Sequence, residues 1–337
     1  MLARVAVSVI LIVWIFTRQA DLAGVLRTLK GAHAGFIILG FALFLAGEVL
    51  TTIKWRLLLL AMGTRCALRD LLRAMLIGEF YSMFLPTSVG GDIARIALTR
   101  SAAGSTSAAA SAAIMQRNTG MGGLLVLALA ATSLANVRLG VFRGPLALLD
   151  EVRTWYALVA LAYAAINVIL LSERARGVVW GRLRRHSRRG GLLSRLIRFG
   201  DSFHGTTAEM RRMFPLALAI SVATQFLDCV MAWGAARAIG APMTLAQACV
   251  FVPAASLTAL LPLSVNGIGI RELTYVTLTR TAGLAPEQAV AISTIHFACL
   301  VGLALIGGLW QFFEPTRVAG THCPHAGAAS DADAQGH

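Results

Sequence analysis

The sequence predicts an all-α polytopic membrane protein built from inverted repeats, with about six full spans plus two re-entrant helical hairpins; eight full spans is the alternative. Three observations lead there. Of 337 residues, 57% are hydrophobic and only 14% charged, where soluble domains carry roughly a quarter charged residues. Apolar runs recur at lengths able to cross about 30 Å of hydrocarbon. Finally, Leu85-Pro86-Thr87-Ser88-Val89-Gly90-Gly91-Asp92-Ile93-Ala94-Arg95 returns, degraded, as Leu261-Pro262-Leu263-Ser264-Val265-Asn266-Gly267-Ile268-Gly269-Ile270-Arg271. The two prolines and the two arginines are each 176 residues apart (262 − 86 and 271 − 95), about half the chain. Lipid excludes unpaired backbone unless protein or a water-filled cavity receives it. Paired interruptions in corresponding halves point to the binding site of a transporter-like protein.

Within the first apolar run, residues 2–16, Arg4 followed by residues 5–16 resembles the charged and apolar regions of a signal peptide. Arg18-Gln19-Ala20-Asp21 is a poor cleavage site, so an uncleaved first span is expected. Residues 21–30 place Leu and Val at helical spacing with charges elsewhere, the pattern of a helix lying in the membrane interface. Residues 32–53, 112–134, 155–171, 214–239 and 289–313 are long enough to cross. Residues 71–85 reach only about 22 Å as helix. The Pro86–Gly91 break and a still shorter limb ending near Arg100 follow them, which a re-entrant hairpin explains better than two spans. Residues 247–263, the second break and residues 269–280 repeat the pattern with a longer first limb.

Basic residues cluster beside apolar runs, above all in residues 174–212. The positive-inside rule places that loop in the cytoplasm, together with residues 54–73, Arg100 and both termini, in a cell (inner) membrane. The first hairpin then enters from the cytoplasm and the second from outside. The single span 155–171 between like units makes them inverted repeats, a design associated with alternating access. The expected layout is one transmembrane domain over residues 1–314, with repeat one at about 32–134, repeat two at about 214–313 and a basic cytoplasmic loop at 173–213. A disordered tail, 315–337, follows.

The net charge of +14 sits next to membrane spans, which argues for anionic lipid headgroups and against nucleic acid. Five cysteines lack any C-x-x-C spacing and imply no disulfide framework. His322-Cys323-Pro324-His325 has metal-ligand residue types, but a disordered tail is the favoured reading there. No metal and no cofactor is expected. The sequence has no P-loop, nucleophile elbow, H-E-x-x-H pair or dinucleotide fingerprint, so no enzyme activity is expected either.

The chemistry concentrates at the breaks. A helix restarting after Gly91 presents unpaired N–H groups and roughly half a positive charge, which suits anions and phosphates above all. Arg95 follows four residues later on the same face, and Gly267 and Arg271 repeat that spacing. Glycine lets backbone approach closely, and proline ends the incoming limb. The candidate headgroup-binding set is therefore Arg95, Arg271, Gly90, Gly91, Gly267, Asp92, Glu272, Ser88, Ser264 and Asn266. The alternative for both arginines is snorkelling to an interface. Asp92 and Glu272 are candidates for pairing with an arginine of the opposing hairpin; Asp92 has the further option of capping its own helix. Asp228, His296 and Glu79 are candidates for a proton relay or pocket, with a structural, hydrogen-bonded histidine as the alternative. Arg117, near the start of its span, divides between that pocket and the interface. Trp55-Arg56 reads as aromatic-belt anchoring.

At these residues the sequence resembles the flippase-like transmembrane domain family, known from the membrane half of lysylphosphatidylglycerol synthases. Standalone bacterial and archaeal membrane proteins share it, hopanoid-associated and dolichol-phosphate-glycosyltransferase-linked ones among them. The shared features are Lys54-Trp55-Arg56, Phe84-Leu85-Pro86 with Gly90-Gly91-Asp92 and Arg95, Gln116-Arg117, and Ser264 to Glu272. The resemblance runs over residues 2–313. The chain departs at Ser82, where the family has Asn, at Gln116, where it has Glu, and at His296, where it often has Arg. No synthase domain is expected, so the aminoacyl-transferase activity is not carried over. The resemblance implies movement of a phospholipid, hopanoid or polyprenyl-phosphate-type lipid between leaflets. The alternative is an accessory subunit that presents such lipids to a separate glycosyl- or aminoacyl-transferase docked on the basic loop.

Overall fold

The computed structural model describes residues 2–84, 90–99, 106–138, 146–171, 192–261 and 263–313. Among these it has eleven α-helices and no strand. In order they are α1 (Leu2–Arg18), α2 (Leu22–Lys30), α3 (Ala34–Ala61), α4 (Leu68–Phe84), α5 (Gly90–Thr99), α6 (Thr106–Arg138), α7 (Leu146–Leu171), α8 (Leu192–Ala238), α9 (Leu245–Ala259), α10 (Ile270–Thr279) and α11 (Pro286–Phe313). The protein is thus all-α, as its hydropathy requires.

Among the described residues three helices are long and apolar enough to cross a bilayer: α3, the Arg212–Ala238 part of α8, and α11. The α1–α2 pair, bent by 87°, makes a fourth candidate. By length alone α6, with 33 residues, and α7, with 26, also reach across. The bend after α1 has a local cause. Asp21 caps α2, its carboxylate accepting from the N–H groups of Ala23 and Gly24, so residues 21–30 start a helix of their own.

Residues 247–263 predict the longer incoming limb, yet α9 has 15 residues against 17 in α4. It starts at a Thr244–Gln247 capping box and stops at Ala259. The ring of Pro262 disfavours helical backbone just before it. The basic stretch also differs from a loop in its second part, because α8 begins at Leu192 and runs through Pro215 as one helix. Residues 172–191 and the tail with His322, Cys323 and His325 lie outside the described residues.

The most extensive packing joins α3 to α8, and the hairpins dock around that pair reciprocally. Helix α4 packs on α5, and α9 on α10, so each break folds into a helical hairpin. The first hairpin lies against α6 through α5 and against α11 through α4; the second lies against α11 through α10 and against α6 through α9. Each half therefore holds the other's hairpin. One apolar core gathers Trp55, Leu58, Leu59, Leu71, Met75 and Met115 beneath the first hairpin. Another gathers Cys229, Phe251, Tyr275, Val276 and Ile292 around the second.

Of the three long apolar helices α3, α8 and α11, the last is the most enclosed, with 56% of its most apolar stretch buried against 17% for α3 and α8. Gly307 makes this possible. It rests on the Leu76 carbonyl of α4, where a Cβ would collide with backbone, the close approach by which small residues drive helix association in lipid. Ile38, Trp155, Leu161 and Phe312 remain exposed on the outer faces, where lipid rather than water is their solvent.

Candidate functional site

The first hairpin is organised around Arg95. Gly91, buried in the first turn of α5 with Gly90, sits directly on Gly78 and Ser82 of α4, leaving no room for a Cβ. The stem of Arg95 crosses Gly78, where a Cβ would lie 2.6 Å from its Cγ. The guanidinium then reaches Asp92 Oδ1 at 3.1 Å and Glu79 Oε1 at 3.5 Å, and lies 5.6 Å from the centre of the Trp55 ring. The other oxygen of Asp92 pairs with Arg117 of α6.

Arg95 is 8% exposed, so protein encloses its charge instead of an interface receiving it. Taking a charge out of water costs several kcal/mol unless partners offset it, and here two carboxylates do. Both arginines on Asp92 come from its own half: Arg95 one turn away, and Arg117 because α6 packs on α5. The opposing hairpin supplies neither. Trp55 differs from a belt anchor. It is 1% exposed, because the end of α3 is roofed by the first hairpin.

The second hairpin has a different backbone. Asn266 (φ 51°), Gly267 (φ 76°) and Gly269 (φ 88°) occupy left-handed conformations, which glycine and asparagine tolerate best. Gly267 leaves no room for a Cβ against Ala259, and Gly269 none against Leu11 of α1. The Val265 N–H donates to Ser8 Oγ at 3.0 Å, so α1 holds the break. Asn266 Nδ2 donates to the Met83 carbonyl at 2.8 Å, which brings the second break onto the end of α4. The hairpins meet there.

Glu272 caps its own helix. Its Oε2 accepts from the Gly269 N–H at 2.7 Å, and its Oε1 accepts from Ser293 Oγ at 2.8 Å. Ser293 stands 176 residues after Arg117 (293 − 117), the register of the repeat. In both halves, then, the last long helix contacts the acid in the first turn of the hairpin's second limb.

The halves differ at the arginine. Shifting Glu79 and Asp92 by 176 gives Ala255 and Ile268, so the second hairpin lacks both carboxylates that hold Arg95. Arg271 instead faces a cavity of about 160 Å³ lined by Phe44, Asp228, Val252, Ala255, Ser256, Tyr275, His296 and Leu300 as well. Arg271 Nη1, Tyr275 OH and His296 Nδ1 are buried and have no hydrogen-bond partner among the described residues. His296 Nε2 lies 2.9 Å from Asp228 Oδ1, and the Phe44 ring meets the imidazole edge to face. Tyr275 is 1% exposed and His296 5%. A buried donor or acceptor without a partner costs about 1–3 kcal/mol. Several converging on one cavity mark a place built for a polar guest.

The structure thus brings Arg271, Asp228 and His296 together, and groups Glu79 and Arg117 with Arg95 and Asp92. Asn266 joins the two hairpins. Ser264 is buried near the second break, its Oγ without a partner among the described residues, and Ser88 lies outside them. Sequence reasoning missed Tyr275, Gly78 and Lys54. Tyr275 follows Arg271 by four residues, as Arg271 follows Gly267, so the face was readable. Lys54 interrupts an apolar run; it is 3% exposed and donates to Ser221 Oγ at 2.9 Å and the Gln116 carbonyl at 3.4 Å. Gly78 carries no local signal, because its role is to yield space to a side chain 17 residues ahead (95 − 78).

Residues 1–308 match the family described as the lysylphosphatidylglycerol synthase TM region, and the chain belongs to it. A relative from Methanothermobacter thermautotrophicus, named a UPF0104 membrane protein, is 25% identical over 317 residues, covering 89% of each chain. No solved structure matches.

Proposed function

We propose that this member of the lysylphosphatidylglycerol synthase transmembrane family is a transporter of the cell (inner) membrane. It moves the anionic headgroup of a lipid or lipid-linked substrate between leaflets. The observation that carries this reading is the cavity at the second hairpin on which Arg271, Tyr275, Asp228 and His296 converge, with no ion pair to Arg271 among the described residues. In a low-dielectric interior a guanidinium attracts an anion far more strongly than in water, and charge-assisted hydrogen bonds to phosphate are the strong ones. Ionisable residues within membrane spans are costly and mark substrate paths.

The roles divide between the halves. Arg271 binds the headgroup, with Tyr275 and Ser256 offering hydroxyls. Arg95, neutralised by Asp92 and Glu79, holds the first hairpin in shape. The N–H groups opening α10 contribute little, because Glu272 already takes the Gly269 N–H. Reciprocal docking of two re-entrant hairpins supports alternating access by one half rocking against the other.

The test is purified protein in liposomes against fluorescent phospholipids and polyprenyl phosphates. At least one lipid should exchange leaflets, and Arg271→Ala should abolish that exchange while the variant remains folded. Loss of folded protein to the same extent would mean a structural role for Arg271. A flat response to every lipid would overturn transport in favour of lipid presentation to a separate transferase.

A further inference from the structure

The cavity holds two titratable side chains that the headgroup reading leaves unused. Asp228 enters from α8 and His296 from α11, 2.9 Å apart. Both line the same space as Arg271, and no ion pair joins Asp228 to Arg271 among the described residues. We propose that this cavity binds a phosphate mono- or diester together with one proton, the Asp228–His296 pair accepting the proton. The proposal rests on the reading of Arg271 as the headgroup site.

Charge bookkeeping gives the reason. With one proton shared, the Asp228–His296 pair is neutral, and Arg271 leaves the cavity with a net positive charge to offer an anion. Without it, the pair carries the Asp228 charge, which cancels Arg271 and repels the incoming phosphate. Anion and proton therefore bind with positive coupling, each raising the affinity of the other by the same factor.

Other titratable groups surround the pair, and the single variants below separate their effect from that of the pair. Helix α3 contributes Phe44, with Glu48 one turn further on. Helix α8 adds Cys229 next to Asp228, and α9 contributes Ser256 to the cavity and Cys249 close to Cys229. Helix α10 adds Tyr275 and Glu272, whose carboxylate is already committed to Gly269 and Ser293. Helix α11 adds Cys299 three residues after His296. The size also fits. About 160 Å³ corresponds to roughly five waters of liquid volume, room for a phosphate group.

The experiment uses full-length protein in detergent and a short-chain phosphatidylglycerol, a diester whose own charge is constant between about pH 6 and about pH 8, the range in which histidine titrates. Calorimetry should show affinity highest at low pH and falling by up to about tenfold per pH unit as pH rises, the limit for one linked proton. Asp228→Asn should bind tightly across the range with most of the dependence lost. His296→Gln should bind weakly and without dependence. Arg271→Ala should not bind at any pH.

A pH-independent wild type whose binding still requires Arg271 would sink the proton linkage and leave the headgroup site standing. Binding by Arg271→Ala at the wild-type level, or no binding by wild type at any pH, would sink both. A wild-type slope that survives in both Asp228→Asn and His296→Gln would overturn the assignment to this pair.

Discussion

Glycine at positions 78 and 91 lets the two limbs of the first hairpin touch and lets Arg95 lie flat between them. An added Cβ at Gly91 meets backbone, which cannot swing aside. Gly91→Ala should therefore cost about 1–3 kcal/mol, as overpacking does, read as a lower unfolding midpoint in detergent. Gly120→Ala is the contrast. Its Cβ would meet nothing within 4 Å, so the gain in helix propensity of about 1 kcal/mol should appear as higher stability. The difference between the two arginines is also a residue-scale matter, since Ala255 stands where the repeat register expects the counterpart of Glu79. Ala255→Glu would give Arg271 a carboxylate inside the cavity. Phosphatidylglycerol binding should then fall by at least about tenfold, because the new charge occupies the guanidinium and repels the phosphate. Unchanged binding would remove Arg271 from the site.

Among the elements, α10 shows how a broken helix is restarted. Gly269 supplies the backbone geometry, Glu272 reaches back to its N–H, and Ser293 of α11 fixes the other carboxylate oxygen. Glu272→Ala removes a cap and strands a hydroxyl, a loss of about 1–2 kcal/mol on the scale of helix caps. Hydrogen exchange should quicken at the amides of residues 269–273 while α4 and α5 remain protected. Uniform quickening would mean that the cap supports the whole fold. The start of α10 was partly legible beforehand, in the glycines and the acid one turn on. What the chain could not announce is Ser293, which reaches Glu272 only because α11 packs across α10. The stop of α9 at Ala259 was a nearer miss, since Pro262 advertises a break without saying how many residues before it the helix gives way.

For the whole molecule the decisive contact is Asn266 to the Met83 carbonyl, where the halves meet. If transport needs the hairpins to part, a disulfide between Met83→Cys and Asn266→Cys should stop lipid exchange in liposomes, and a reductant should restore it. Among the described residues Cys66, Cys229, Cys249 and Cys299 are buried and unbridged, and a Cys323→Ser background removes the fifth cysteine from the test. Exchange at the wild-type rate in the cross-linked protein would show that the hairpins stay together during the cycle. Labelling of Ile93→Cys and Leu263→Cys, both at exposed positions of the hairpins, with an impermeant thiol reagent tests the inverted arrangement, for which the two should be reached from opposite sides of the bilayer.

Hydropathy, proline and glycine act over a few residues, and so the sequence by itself determined the helical membrane class, the position of both breaks and the one-turn spacing from glycine to arginine. Even the missing counterparts of Glu79 and Asp92 could be read from the register. Only the tertiary structure decided what each arginine meets. Arg117 reaches Asp92, and Asp228 and His296 converge on the cavity of Arg271, because helices far apart in the chain pack against the hairpins. Burial and ion pairing across such distances depend on packing, which no local pattern of residues encodes.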